Sequence, residues 1–73
     1  MKHFRITIAS LPDRENLVAE IVFKGYQFAE ISQEEKEMKI QFYSHPKQKY
    51  WKFSLEEIQN IIEKAKNRLI EVG

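Results

Sequence analysis

Residues 17–32 read LVAEIVFKGYQFAEIS, which is two apolar runs separated by Lys24 and Gly25. Each run has the length of a strand and is rich in β-branched and aromatic residues. A two-residue hairpin turn needs positive φ angles, which glycine adopts without steric cost. We therefore predict strands over residues 17–23 and 26–32. Lys24 is a poor residue for positive φ, so the connection is either a tight turn in which Phe23 faces Tyr26 or a longer turn with Gly25 in a bulge.

Of the two connections, the tight turn predicts a register for the whole hairpin, with Ile21 facing Phe28 and Ala19 facing Glu30. In that register Glu20 and Glu30 point to opposite faces. The second face then combines Glu20 and Gln27 with four apolar residues, which are Val18, Val22, Ala29 and Ile31. An antiparallel sheet with one solvated face normally alternates more cleanly. We therefore expect a wrapped loop, a partner or a second protomer to cover this face.

Apolar and polar residues also alternate over residues 3–9, 37–43 and 49–53, which predicts three further strands. The period becomes helical from Ser54, which forms a capping-box pattern with Glu57. Six apolar residues then share one stripe of the helix: Leu55, Ile58, Ile61, Ile62, Ala65 and Leu69. Short connections make neighbouring strands antiparallel. The prediction is an α+β fold, an antiparallel meander of about five strands with one C-terminal amphipathic helix packed on one face.

Length and composition restrict the class of protein. The chain has 73 residues, of which 42% are hydrophobic and 32% charged, with no cysteine and a net charge of +1. This allows a single small domain over residues 1–73. The sequence has no apolar run long enough to span a membrane, and its first residues alternate instead of forming the apolar core of a signal peptide. We expect a cytoplasmic protein without a global attraction to nucleic acid.

Candidate catalytic groups are few. Glu20 and Glu30 interrupt apolar strands and are the best candidates for acid–base chemistry, but the preferred interpretation is that each marks the partly solvated rim of the sheet. His3 and His45 are the only histidines, and no cysteine accompanies them, which is too few ligands for zinc. The two glycines cannot form a glycine-rich phosphate loop. We expect no enzyme, no metal site and no cofactor.

Residues 42–53 read FYSHPKQKYWKF, in which aromatic residues and lysines alternate. Single-stranded nucleic acids bind such surfaces, because bases stack on aromatic rings and lysines contact phosphates. This hypothesis assigns binding to five residues: Tyr43, Lys47, Lys49, Tyr50 and Lys52. The alternative is that Phe42, Trp51 and Phe53 belong to the core while the lysines keep a hairpin soluble.

The succession of strands and a C-terminal helix that opens FSLEEI at residues 53–58 resembles the repeat unit of Pur-alpha and Whirly-type single-strand binders. The resemblance concerns topology and covers residues 17–73. It implies a twisted antiparallel sheet with a trailing helix, a tendency to dimerise, and binding of single-stranded DNA or RNA.

The acidic stretch over residues 30–37, EISQEEKE, in a small cysteine-free chain of mixed charge resembles the bacterial immunity proteins that neutralise toxins. That resemblance implies a protein partner, such as a basic toxin, attracted by electrostatic steering. The residues assigned to it are Glu30, Glu34, Glu35 and Glu37 for steering, with Tyr26 and Phe28 as aromatic anchors. Protein binding of this type is the leading hypothesis, and single-stranded nucleic-acid binding and homodimeric assembly are the alternatives.

Overall fold

The computed structural model describes residues 3–72. They form four strands and one helix: β1 Phe4–Ala9, β2 Val18–Phe23, β3 Tyr26–Ser32, β4 Lys39–Phe42 and α1 Leu55–Val72. The strands pair as one antiparallel sheet in the order β1-β2-β3-β4, which is a meander. The predicted α+β class is confirmed, but the expected number of about five strands is too high by one.

The predicted fifth strand, residues 49–53, is an irregular segment instead. The chain leaves β4 at the edge of the sheet and folds back over the end of the β2–β3 hairpin. The rings of Trp51 and Phe53 lie 5.6 and 4.7 Å from the ring of Phe28. The indole Nε1 of Trp51 also donates a hydrogen bond to the Tyr43 carbonyl at 2.8 Å. The alternation that predicted a strand therefore reflects side chains that turn inward to cap the core.

Of the two predicted connections between β2 and β3, the structure has the tight turn. Lys24 and Gly25 have φ angles of 50° and 87°, the two positive values that a tight turn between antiparallel strands requires. Phe23 and Tyr26 pair across it, as expected.

Beyond the turn, the predicted register of the hairpin is wrong. Ile21 pairs with Ala29 and Ala19 pairs with Ile31, because the pairing shifts between Ile21 and Val22. This shift is a β-bulge that adds Phe28 to β3 without a partner in β2. Beyond a bulge, every residue of the strand exchanges faces.

Because of the bulge, the two faces of the sheet differ more in polarity than predicted. Ala29 and Ile31 join the core on the face that α1 covers. Glu20 and Glu30 become a cross-strand pair on the other face, not residues of opposite faces. The second face is therefore largely polar, and the predicted doubly apolar hairpin is wrong.

The helix is the element that the sequence predicted most completely. The amide of Glu57 donates to Ser54 Oγ at 3.3 Å, so Ser54 caps the first turn. Ile61, Ala65 and Leu69 are buried against β1 and β2. Leu55, which the stripe included, is 72% exposed, because the helix starts beyond the edge of the core. Within residues 3–72, no helix is long and apolar enough to cross a membrane.

A loop over residues 10–17 covers part of the second face. Val18, which alternation places on this face, is fully buried. The carboxylate of Glu34 holds the loop by accepting hydrogen bonds from the amides of Glu15 and Asn16, both at 2.8 Å. The side-chain amide of Asn16 in turn donates to the Gln33 carbonyl at 3.1 Å. We expected a wrapped loop, a partner or a second protomer to cover the second face, and the structure shows the wrapped loop.

We predict that this loop attachment depends on pH. The two backbone hydrogen bonds lower the pKa of Glu34 below its ordinary value of 4.5. A lowered pKa means that the attachment is complete above pH 4.5 and weakens as pH falls through the folded-state pKa. In an NMR titration, the amide proton shifts of Glu15 and Asn16 should therefore move together, with a midpoint below 4.5.

Glu34→Gln should abolish that titration of both amides, and Glu35→Gln should leave it in place. A midpoint at or above the ordinary value, or an unchanged titration in Glu34→Gln, would show that the carboxylate does not hold the loop.

Candidate functional site

A cleft lies at the hairpin end of the sheet. Because β3 begins at Tyr26 and the antiparallel β4 ends at Phe42, the chain leaves β4 beside the β2–β3 turn. There it encloses a volume of about 370 Å³, within the range of ligand-binding pockets. We call it the aromatic–lysine cleft, and it is lined by Phe23, Lys24, Tyr26, His45, Lys47, Gln48, Trp51 and Lys52.

Three rings in contact form one wall of the cleft. The centre of the His45 ring lies 4.3 Å from that of Trp51 and 5.1 Å from that of Tyr26. His45 Nδ1 accepts hydrogen bonds from the amides of Lys47 and Gln48 at 3.0 and 3.1 Å, which closes the turn after Pro46. Since Trp51 also packs against the core, these rings are held in place before any ligand arrives.

Cations surround the rings. The ammonium of Lys24 lies 5.3 Å from the centre of the Phe23 ring, and that of Lys47 lies 5.9 Å from the centre of the Tyr26 ring. Lys52 adds a third positive charge, and none of the eight lining residues is acidic. These distances are within the range of cation–π attraction. The cleft therefore suits a ligand that combines a negative charge with a planar apolar group.

No family model, curated protein or solved structure matches this chain. Its own side chains therefore indicate what the cleft can bind.

A neighbouring surface extends the cleft: Tyr50 is 68% exposed and lies with Lys49 and Lys52 along a shallow depression of about 470 Å³. The cleft and this depression share Lys52 and Gln48, so they form one continuous surface.

The structure brings together four of the five residues that the nucleic-acid hypothesis named. Lys47 and Lys52 line the cleft, and Lys49 and Tyr50 lie beside it. Tyr43 is the exception, because its side chain turns to the other face of the sheet.

There the Tyr43 hydroxyl donates to Glu30 Oε1 at 3.1 Å. Burial, followed by this hydrogen bond and the charge of Glu30, raises the pKa of Tyr43. Tyr43 contributes to the cleft only through its carbonyl, which holds the indole of Trp51.

The residues assigned to protein binding do not form one surface. Phe28 is 1% exposed and Glu30 is 3% exposed, so neither reaches a partner, and these two assignments are wrong. Phe28 lies in the core beside Ile21 and Ala29, on the face that α1 covers. Glu30 accepts a hydrogen bond from Arg14 Nη2 at 2.8 Å, which makes a partly buried ion pair between the sheet and the 10–17 loop.

The remaining four assigned residues have different surroundings. Glu34 holds the 10–17 loop, and Tyr26 lines the aromatic–lysine cleft. Glu35 and Glu37 are exposed, and the carboxylate of Glu37 pairs with the ammonium of Lys39 at 2.8 Å.

Sequence reasoning missed four of the eight residues that line the cleft, namely Phe23, Lys24, Gln48 and His45. It left open whether Trp51 belongs to the core or to a binding surface. The structure shows that Trp51 serves both. A signal was available, because an antiparallel β3–β4 pair places the residues after β4 next to the turn before β3. The aromatic and basic stretch therefore had to meet Lys24 and Tyr26.

Proposed function

We propose that this chain is a non-enzymatic, cytoplasmic binding domain that takes single-stranded nucleic acid on the aromatic–lysine cleft. The observation that carries the proposal is the acid-free lining of three lysines around the rings of Tyr26, His45 and Trp51.

The cleft matches the two chemical parts of a nucleotide strand. A base can stack on a ring, which contributes about 1–3 kcal/mol per base, while lysines neutralise the phosphates on either side. Tyr50, exposed between Lys49 and Lys52, offers a second ring along the same path. Because the net charge of the chain is only +1, attraction comes from this surface and not from the whole molecule.

The test uses Trp51, the only tryptophan, which lines the cleft and reports on it directly. We expect an oligothymidylate of about ten nucleotides to quench its fluorescence. If three phosphates are contacted, raising salt from roughly 50 to 200 mM should lower the affinity about 20-fold.

Charge-matched variants separate the cleft from the rest of the surface. Lys47→Glu with Lys52→Glu should weaken binding at least about tenfold, because both lysines line the cleft. Lys36→Glu with Lys64→Glu makes the same change in net charge at exposed sites elsewhere and should have little effect. Tyr50→Ala should weaken binding about fivefold or more. No quenching at low salt, or equal losses in both double variants, would refute the proposal.

A second candidate is protein binding of the toxin-neutralising type, favoured by the exposed carboxylates of Glu35 and Glu37. Two exposed negative charges in one turn can steer a basic partner toward it. The test is capture of a basic nuclease on the immobilised chain at low salt. Glu35→Lys with Glu37→Lys should abolish capture, while the Lys47→Glu and Lys52→Glu double variant should preserve it. Equal capture by both variants would remove this candidate.

A further inference from the structure

The outer edge of β4 has no partner within residues 3–72, because β4 ends the strand order. The amide of Tyr43 donates to the Phe28 carbonyl at 2.9 Å, which shows that Tyr43 directs its backbone groups toward β3. Bonded groups alternate along an antiparallel strand. Gln41 therefore also faces β3, and the N–H and C=O groups of Ile40 and Phe42 point outward.

The opposite edge of the sheet is protected differently. Arg68, on α1, donates from Nη1 to the outward carbonyl of Ile6 in β1 at 3.3 Å. The helix also packs on β1 and β2, so this side of the sheet has a covered face and one hydrogen bond at its edge. The unshielded edge is β4.

Apolar side chains accompany the free backbone groups. Ile40 is 39% exposed and Phe42 is 61% exposed, and their pairing with Ile31 and Ala29 places both on the helix-covered face. Between β4 and α1 runs a groove of about 150 Å³, lined by Ile31, Met38, Lys39, Ile40, Ile62 and Lys66. Exposed apolar strand edges are sites of strand addition, which proteins normally protect.

The charges on either side of β4 indicate what pairs with it. Residues 34–37 before the strand carry three glutamates and one lysine, and residues 45–52 after it carry three lysines and no acid. In an antiparallel pair of two copies, the acidic flank of each lies along the lysine flank of the other, so the complementarity occurs twice. A second copy of this chain therefore fits the edge by both charge and apolar surface.

We propose that two copies pair through β4 about a two-fold axis near Gln41, joining two four-stranded sheets into one of eight strands. Ile40 of each copy exchanges backbone hydrogen bonds with Phe42 of the other, since both residues direct these groups outward. The ring of Phe42 then lies beside Ile40 of the second copy, where the apolar groove receives it. The acidic turn that precedes β4 in one copy then lies near the lysine-bearing segment that follows β4 in the other. The dimer does not depend on the proposed nucleic-acid function.

The first test is the oligomeric state by sedimentation equilibrium over a range of concentrations. The native chain should dimerise, and Phe42→Lys should weaken the dimer at least about tenfold. Ile70→Lys is the matched control, because Ile70 is 57% exposed on α1 and does not line the groove between β4 and α1, so its dimerisation should be unchanged. Circular dichroism of both variants checks that the fold is retained.

The second test uses the symmetry of the pairing. Glu35→Lys and Lys47→Glu should each weaken the dimer, and the chain that carries both changes should recover it, because the reversed charges meet again across the two-fold axis. A chain that stays monomeric at about 1 mM would rule out a second copy as the occupant and leave the edge to an extended peptide of another protein. A dimer unaffected by Phe42→Lys, or not recovered in the double variant, would also overturn the proposal.

Discussion

Replacing Phe28 by alanine should lower the free energy of unfolding by about 3–5 kcal/mol, the range for removing a buried phenylalanine ring. Phe28 is 1% exposed, and the rings of Phe4, Trp51 and Phe53 surround it at 6.0, 5.6 and 4.7 Å. A chain of 73 residues has a total stability of about 4–11 kcal/mol. The substitution therefore removes a large part of the stability of the domain.

Urea denaturation followed by circular dichroism and by Trp51 fluorescence measures this loss. Tyr50→Ala, at a ring that is 68% exposed, is the control and should change stability by less than about 0.5 kcal/mol. If Phe28→Ala cost less than about 1 kcal/mol, the ring would not fill the core as the structure shows. The same experiment distinguishes a core residue from an exposed aromatic residue that binds a partner. Replacing an exposed residue of that kind by alanine would leave the free energy of unfolding unchanged.

Removing Arg14 should have the second largest effect. Its guanidinium lies 2.8 Å from the carboxylate of Glu30, and the Glu30 side chain is only 4% exposed. Breaking a buried pair from one side costs about 3–5 kcal/mol, because the other charge stays buried without compensation. Arg14 itself is 26% exposed, so water replaces part of what is lost. We expect Arg14→Met to cost about 2–3 kcal/mol.

A double-mutant cycle isolates the pair from other effects of the substitutions. Arg14→Met, Glu30→Gln and the combined variant are compared by urea denaturation, and the combined loss should be smaller than the sum by about 1–3 kcal/mol. Glu30→Gln keeps an acceptor for the Tyr43 hydroxyl, so its own loss reports mainly on the charge. Additive losses would mean that the ion pair contributes nothing. If Glu30 instead steered a partner from the surface, Glu30→Gln would weaken binding of that partner and leave the free energy of unfolding unchanged.

The parts of the fold that were predicted correctly depend on short-range chemistry. The β3 strand over residues 26–32, the turn at Lys24 and Gly25, and the cap at Ser54 follow from alternation, positive φ and a hydroxyl at the right spacing. Each involves residues within a few positions of one another, so a single sequence contains the information.

The candidate site was predicted in part. Lys47, Lys49, Tyr50 and Lys52 were identified, because the alternation of lysines and aromatic residues is visible along one segment. The other side of the cleft was assigned to a different surface or missed. Tyr26 and His45 are 19 positions apart in sequence, and their rings meet at 5.1 Å only because β3 and β4 are antiparallel neighbours.

By itself, the sequence determined the class of fold, the C-terminal helix, the hairpin turn and the basic aromatic segment, all of which arise from local periodicity and backbone preference. The tertiary structure alone decided the register beyond the turn, because one extra residue in β3 lets both Phe28 and Ala29 enter the core. That shift moves Glu30 to the face where Arg14 and Tyr43 bind it. The tertiary structure also decided that residues 49–53 cap the core instead of pairing with β4. This arrangement leaves the outer edge of β4 open and creates the cleft.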